Sequence, residues 1–433
     1  MVSLKDRIFS SLSRFRKKNI HGVSSYISSL RHKSIDLFLK KGFPSFADEE
    51  WKNTNVNSIL NQEYHLFSQL SQQRKDLEYQ KIKELIYLDD SFLIIFIDGK
   101  YQSIYSHTSN NIRLSNLASQ EEKKIKDFYG KLSNLDEPFN ILNTIFSKDG
   151  VYIYIPDNLF LKKPIEILHI YTGIESKIML NPRNLIIVGK SSFVKIIEHH
   201  KCLKKHLLFN NSVSEIYAFS NSQIEYYKIQ DNFDELSIID NTFVKQDLRS
   251  KCSFYTFSFQ GKFIRNNLNF SSHGKFTSSY LYGISLLSEE QLVDHHTSME
   301  HLYSNAHSFQ LYKNILWNKS MGIFNGKILV DKWIKNIKAF QKNNNILLSD
   351  EACIYAKPQL EIFSDEVKCS HGCTVGSFHE LDLFYCQSRG IPEKESKVLL
   401  LLSFLEEILK TMNILKLRNL VYEKMKKKLG IYL

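Results

Sequence analysis

SEIYAFSNSQIEYYKIQDNFDELSIIDNTFV, residues 214–244, consists of short runs of β-branched and aromatic residues broken by Ser, Asn and Asp. Val, Ile, Tyr and Phe suit a pleated, half-buried surface, while Asn, Asp and Ser turn the chain through local hydrogen bonds. The same unit returns as VYIYI, NLIIV and VKIIE before this stretch, and as SFYTFSF, SYLYGISL and GKILV after it. These strands recur every ten to twenty residues or so between about 150 and 390, with little helical periodicity. A long series of brief strands builds a sandwich, a barrel or a solenoid in which each strand stacks on the next coil. The strands are numerous and short, and their total length is large for a single sandwich, so a β-helix is the favoured reading.

Toward the N-terminus the pattern is helical. Leu4, Ile8, Leu12 and Phe15 repeat at spacings of three and four, with Ser3 and Asp6 placed like a capping box. Ile35, Leu37, Phe38 and Leu39 mark a second helix that ends before Gly42 and Pro44. LIIFIDGKYQSIY then predicts a β-hairpin about the Asp98-Gly99 turn. Beyond Gly390, Pro392 with Glu393 and Glu395 opens a helix whose apolar residues include Leu399, Leu402, Phe404, Leu405, Ile408 and Leu409. A last helix is expected from about Ile414 to Leu429. The expected organisation is mainly β, in three parts. Residues 1–145 form a mostly helical region with a hairpin near 92–106, 146–388 the β-helix core, and 389–433 a helical region for partner docking.

Composition narrows the function classes. The apolar runs, such as Phe92–Ile97 and Val398–Leu402, fall far short of the roughly 18 to 20 residues that span a bilayer, so an ordinary soluble protein is expected. The basic, Ser-rich start MVSLKDRIFSSLSRFRKKN superficially resembles a transit peptide, but Asp6 interrupts it and no cleavage pattern follows. The net charge of +11 is spread along the chain, with short clusters at Arg14–Lys18 and Met425–Lys428, and this argues against a nucleic-acid face. The cysteines, at 202, 252, 353, 369, 373 and 386, are too sparse for a disulfide framework, and a reducing cytosol fits them best. GIFNGKIL, from Gly322, is one residue short of a phosphate-binding loop and carries Ile328 where a hydroxyl is needed. Nucleotide chemistry, if involved, belongs to another subunit.

Chemistry is concentrated in VKCSHGCTVG, residues 367–376. On a strand, Cys369, His371 and Cys373 share one face, and thiolate with imidazole is a donor set for zinc or for iron and sulfide. At a rise of about 3.3 Å per residue the donors stand about 7 Å apart, so they cannot meet one ion without a bend, which Gly372 could supply. Small buried residues in a tight β corner are the competing reading. A second group, DHHTSMEHLYSNAH, sets His295, His296, His301 and His307 near Asp294 and Glu300. It matches no metal-binding spacing, so exposed turn residues or hydrogen-bonded core histidines are the plainer reading beside a metal site.

Residues 347–409 contain LLSDEA, KPQLEI, DEVKCSHG, TVG, LFY, SRGI and FLEEIL, in order and without gaps. This series resembles the C-terminal signature of the SufB/SufD family, scaffold proteins of the Suf iron-sulfur cluster assembly machinery. GFPSFADEEWKNTN, from Gly42, and the later IIFIDGKY, NPRNLIIV, QIEYYKIQ, SFQLYK and GIFNGKI resemble successive landmarks of the same family. The KCSHG motif, the EEWK segment and the length are similar to the SufD branch.

The resemblance implies a right-handed parallel β-helix flanked by helices, a non-catalytic scaffold working in the cytoplasm. It implies pairing with SufB through the C-terminal part of the β-helix, and docking of the ATPase SufC on the C-terminal helices around Phe404, Leu405, Ile408 and Leu409. His371, with Cys369 beside it, would lie at the SufB interface and serve cluster assembly, His371 as a transient metal donor. Cys373 falls where Ala is common in the family, which suggests packing. The iron-sulfur cluster would be transient, shared with SufB and passed to apoproteins; neither nucleic acid nor membrane is an expected partner. The alternatives are a SufB-like protein that carries the cluster itself and, from another class, an exported polysaccharide-binding β-helix suggested by 22 tyrosines and 30 phenylalanines.

Overall fold

The computed structural model describes all but residues 1–2, 18–24, 67–78, 107–110, 134, 175–176, 232–234, 378 and 433, and the side chains of 13–17, 79 and 431–432. The side chain of Phe15 and the basic cluster at 14–18 therefore lie outside the described residues.

The strand-rich middle forms a parallel β-solenoid of about eight turns. Strands alternate between two facing sheets, so each strand pairs with the next-but-one in sequence. In one sheet Leu236–Gln246, Phe263–Ser272, Leu292–His301, Met321–Val330 and Cys353–Ile362 stack in parallel. In the other, Gln223–Asp231, Lys251–Gln260, Ser278–Leu287, His307–Leu316, Ile337–Leu347 and Val367–Gly376 do the same. Residues with positive φ recur at one corner of the coils, at Ser191, Asn221, Arg249, Phe276, Asn305 and Asn336. Three of the six are Asn, which tolerates the left-handed region better than most side chains. The amides of Asn221, Arg249, Asn305 and Asn336 each donate to a carbonyl of the following coil, so the corner is hydrogen-bonded along the axis.

Because side chains alternate across a strand, every strand has one face to the lumen and one outside. The lumen is filled by Ile167, Ile196, Ile224, Phe254, Leu281, Met299 and Phe324 among others. The outer face of one sheet, through Phe209, Ile239 and Phe263, is covered by the N-terminal helices, with Leu4, Ile8, Leu12, Ile35, Phe38 and Trp51 buried against it. The outer face of the other, through Tyr227, Tyr255, Phe257, Tyr282 and Leu311, is covered by the C-terminal helices Glu393–Leu409 and Leu415–Tyr432.

The first helix runs Leu4–Lys17, with Ser3 Oγ accepting from the Asp6 amide at 3.2 Å as a capping box requires. The second runs Ser25–Lys41 and stops at Gly42, whose φ is +73°. The hairpin Phe92–Ile97 with Lys100–Tyr101 forms about a turn with positive φ at both Asp98 and Gly99, and its first strand also pairs in parallel with Ile165–Tyr171. One helix, Glu380–Ser388, lies where strand and turn were expected, ahead of the point where helix was predicted to resume. Glu380 and Asp382 in its first turn favour a helix start there.

Candidate functional site at the open end of the solenoid

The solenoid ends in two edge strands, Cys353–Ile362 and Val367–Gly376, each last in its sheet. The final strand pairs along its whole length with Ile337–Leu347: Ala339 stands against Cys369, Gln341 against His371 and Asn343 against Cys373. Ala339, Gln341 and Asn343 are buried in the lumen, so the two cysteines and the histidine continue three lumen columns into the last coil. Cys369 packs on the edge of the lumen core. His371 and Cys373 are exposed because no further coil covers them. The pairing passes through Gly372 without a shift, so the strand makes no bend there and the three donors remain spaced along it.

Burial disfavours ionisation of both thiols. Partial burial pushes Cys369 up, partly offset by its backbone hydrogen bond with Ala339, and burial likewise pushes Cys373 up. Cys373 Sγ lies 3.6 Å from Asn343 Oδ1 and 3.8 Å from Asn345 Nδ2, so it rests on a pair of lumen amides. Among the described residues no group of three His, Cys, Asp or Glu side chains is gathered closely enough to hold a metal ion.

Behind this end the lumen is polar to an extent that the sequence reading missed. Glu198, Lys228 and Asp240 form a buried string, with Lys228 Nζ 3.4 Å from Glu198 and 2.6 Å from Asp240. Burial alone would raise the Glu198 carboxyl, but Lys228 and the neighbouring histidines hold it well below the usual range. Gln230, Ser258, Asn266, His295 and Ser285 follow as a hydrogen-bonded group, and Asn314, Asn345 and Asn343 lead to Cys373. The legible signal was the ionisable residue at a period-two position of an apolar run, as Glu198 is in VKIIEHH.

The second histidine group is divided by strand alternation. His295 faces inward to Ser285 Oγ at 2.9 Å, and His301 bonds Ser308 Oγ at 2.9 Å. His296 faces outward between Asp294 and Glu50, at 2.9 and 3.0 Å. These are hydrogen-bonded structural histidines. His296 helps to tie the EEW segment to the solenoid, together with Arg265, whose guanidinium lies 3.7 Å from the Trp51 ring centroid.

At the C-terminal helices, Leu405, Ile408 and Leu409 are buried against the solenoid, and Phe404 is partly buried with its carbonyl accepting from Lys313 at 2.7 Å. Their side chains anchor the helix to its own chain. Apolar residues that face outward include Leu381, Phe384 and Tyr385 of Glu380–Ser388, each at least 60% exposed, with Leu399 and Leu415 on the helices that follow.

Comparison with known proteins agrees with this geometry. Residues 170–404 match the family described as the SUF system FeS cluster assembly SufBD core domain, and residues 7–167 match the SufBD protein N-terminal region. A SufBD family iron-sulfur cluster assembly protein of Synechocystis is 28% identical over 401 residues, covering 89% of this chain and 87% of that protein. The iron-sulfur cluster assembly protein SufD of Escherichia coli is 24% identical, covering 86% of each chain. A chloroplastic protein of Arabidopsis thaliana, ABCI7, is 26% identical, covering 88% of this chain and 82% of that one. With its core and N-terminal region both matched, a parallel solenoid between helical ends, and a Cys-His strand at the open end, the chain belongs to the SufB/SufD family of iron-sulfur cluster assembly proteins.

Proposed function

We propose that this chain is the SufD-type scaffold subunit of a Suf complex, pairing with a SufB-type partner through the open end of its solenoid. It has no catalytic step of its own. The observation that carries this reading is the terminal strand Val367–Gly376, which is last in its sheet and exposed along most of its length. An edge strand offers unpaired N–H and C=O groups to another chain, and here it also presents His371 and Cys373. A partner strand laid on this edge would meet both side chains. The cluster is then a shared, transient cargo, with His371 as the donor from this side and Cys369 supporting the strand from the lumen.

The SufC-type ATPase is assigned to the C-terminal helices. Leu381, Phe384, Tyr385 and Leu399 supply exposed apolar surface there, while Leu405, Ile408 and Leu409 transmit force from the helices to the solenoid wall. ATP-driven movement of the helices would strain the paired edge and open the site to iron and sulfide, and the finished cluster would pass to apoproteins.

Pairing is tested by co-purifying the chain with its SufB-type and SufC-type partners. Val375→Lys, on the exposed edge, is expected to lose the SufB-type partner while leaving the thermal midpoint of the single chain unchanged. Retention of that partner at the wild-type level by Val375→Lys and by a second edge variant, Thr374→Pro, would overturn the assignment of the interface.

A further inference from the structure

The two cysteines that continue lumen columns into the last coil stand over unlike surroundings. Cys369 follows Ala339 and packs on the apolar edge of the core. Cys373 follows Tyr312 and Asn343 along the axis, and it is exposed. A small residue placed at 373 for packing would be covered. This thiol is open on one side and rests on amides on the other.

Hydrogen bonds fix the orientation of those amides. Asn314 Nδ2 donates to Asn345 Oδ1 at 2.7 Å, which turns Asn345 Nδ2 toward Asn343 Oδ1 at 2.7 Å, the Thr374 carbonyl at 3.0 Å and Cys373 Sγ at 3.8 Å. The Cys373 thiol in turn donates to Asn343 Oδ1 at 3.6 Å. Asn343 is fully buried, and its Nδ2 has no hydrogen-bond partner. An unsatisfied buried donor costs about 1–3 kcal/mol, so an acceptor bound over it recovers part of that cost. Thiolate and sulfide are such acceptors, and hydrogen bonds to sulfur tune protein-bound iron-sulfur clusters.

The spacing of the exposed pair selects the cargo. His371 and Cys373 share one face two residues apart, a separation of about 7 Å along a strand that pairs through Gly372 without a shift. A single ion holds each donor within about 2.0–2.3 Å, which is too close for two donors so far apart. Two irons bridged by sulfide accept them, one donor on each.

We propose that Cys373 is a second cluster donor of this chain, so that His371 and Cys373 bind different irons of one sulfide-bridged cluster, with the Asn343 and Asn345 amides behind the sulfur. The inference deepens the reading of the open end as a cluster site and rests on it. Binding is a ligand exchange. Two external thiolates leave their irons, the His371 imidazole and the Cys373 sulfur take their places, the Cys373 proton passes to a departing thiolate, and each iron keeps its oxidation state.

The test mixes the full chain, alone and without oxygen, with a preformed two-iron, two-sulfide cluster carried by glutathione, which keeps the remaining iron positions. Iron retained after desalting and Mössbauer spectra are the readouts. Wild type is expected to retain the cluster with two unlike irons, one of them bound by imidazole. Cys373→Ala should lower retention by about tenfold or more, and because residue 373 is exposed the variant should keep the wild-type thermal midpoint. His371→Cys, which replaces imidazole by thiolate, should make the two irons alike. No retention by wild type, equal retention by Cys373→Ala, or unchanged spectra in His371→Cys would each overturn the proposal. Loss in His371→Ala without loss in Cys373→Ala would overturn the second donor and leave the open end as a cluster site. Failure to pair with a SufB-type partner is read separately, by co-purification.

Discussion

Glu215 is fully buried and accepts from the amides of Gly130, Leu132 and Ser133 while pairing with buried Arg183 at 2.7 Å. It joins the N-terminal region to the solenoid through one side chain. Glu215→Gln would leave the Arg183 guanidinium buried beside a neutral group, and breaking a buried pair from one side costs about 3–5 kcal/mol. Urea unfolding should show a loss of that size; a change under about 1 kcal/mol would contradict the role. His295 and His301 make a second prediction at this scale. Burial lowers both imidazoles to about 4, whereas an unfolded histidine protonates near pH 6.5 or so. Between those values the unfolded chain holds more protons than the folded one, so stability falls as pH falls, by up to about 1.4 kcal/mol per pH unit for each group. His295→Gln with His301→Gln should flatten that slope in unfolding measurements from pH 7 to 4. A slope unchanged from wild type would contradict it. Neither residue's state was legible in DHHTSMEHLYSNAH, because burial is set by strand parity in a stack that only the fold defines.

At the scale of elements, patterning was a good guide where one face of a helix or a turn decides the outcome. Leu4, Ile8 and Leu12 lie on one buried stripe, and Pro392 with Glu393 and Glu395 opens the helix Glu393–Leu409. Glu380–Ser388 was less legible: Leu381, Phe384 and Tyr385 are apolar yet exposed, so their spacing does not mark a core face. An apolar residue that faces solvent breaks the periodicity on which such readings depend. The helix Glu393–Leu409 carries a direct test of anchoring. Leu405 is fully buried, and Leu405→Ala should cost about 2–5 kcal/mol, concentrated in the two C-terminal helices. Hydrogen exchange should therefore rise in Glu393–Leu409 and Leu415–Tyr432 while the solenoid strands stay protected. Uniform protection across all of them would contradict the anchoring role.

For the whole molecule, recurrence of short strands pointed to stacking rather than to a sandwich, and the parallel register of the solenoid bears that reading out. What recurrence could not supply was the content of the lumen. Glu198, Lys228, Asp240 and the asparagines near Cys373 become neighbours only through pairing across coils, at separations no local pattern spans. The two ends of the stack differ in the same way. One is closed by helices and a hairpin beside a cleft, and the other exposes an edge strand with Cys369, His371 and Cys373 aligned on the lumen columns.

The central claim is that this open end supplies a donor for cluster assembly at a subunit interface. Its most direct test is anaerobic reconstitution, with iron and sulfide, of the complex purified with the proposed SufB-type and SufC-type partners, followed by ultraviolet-visible spectra for wild type and His371→Ala. The account predicts that the variant assembles the same complex but gains markedly less cluster absorbance. Equal absorbance in an intact complex would mean that the terminal strand only packs, and would contradict the role of His371.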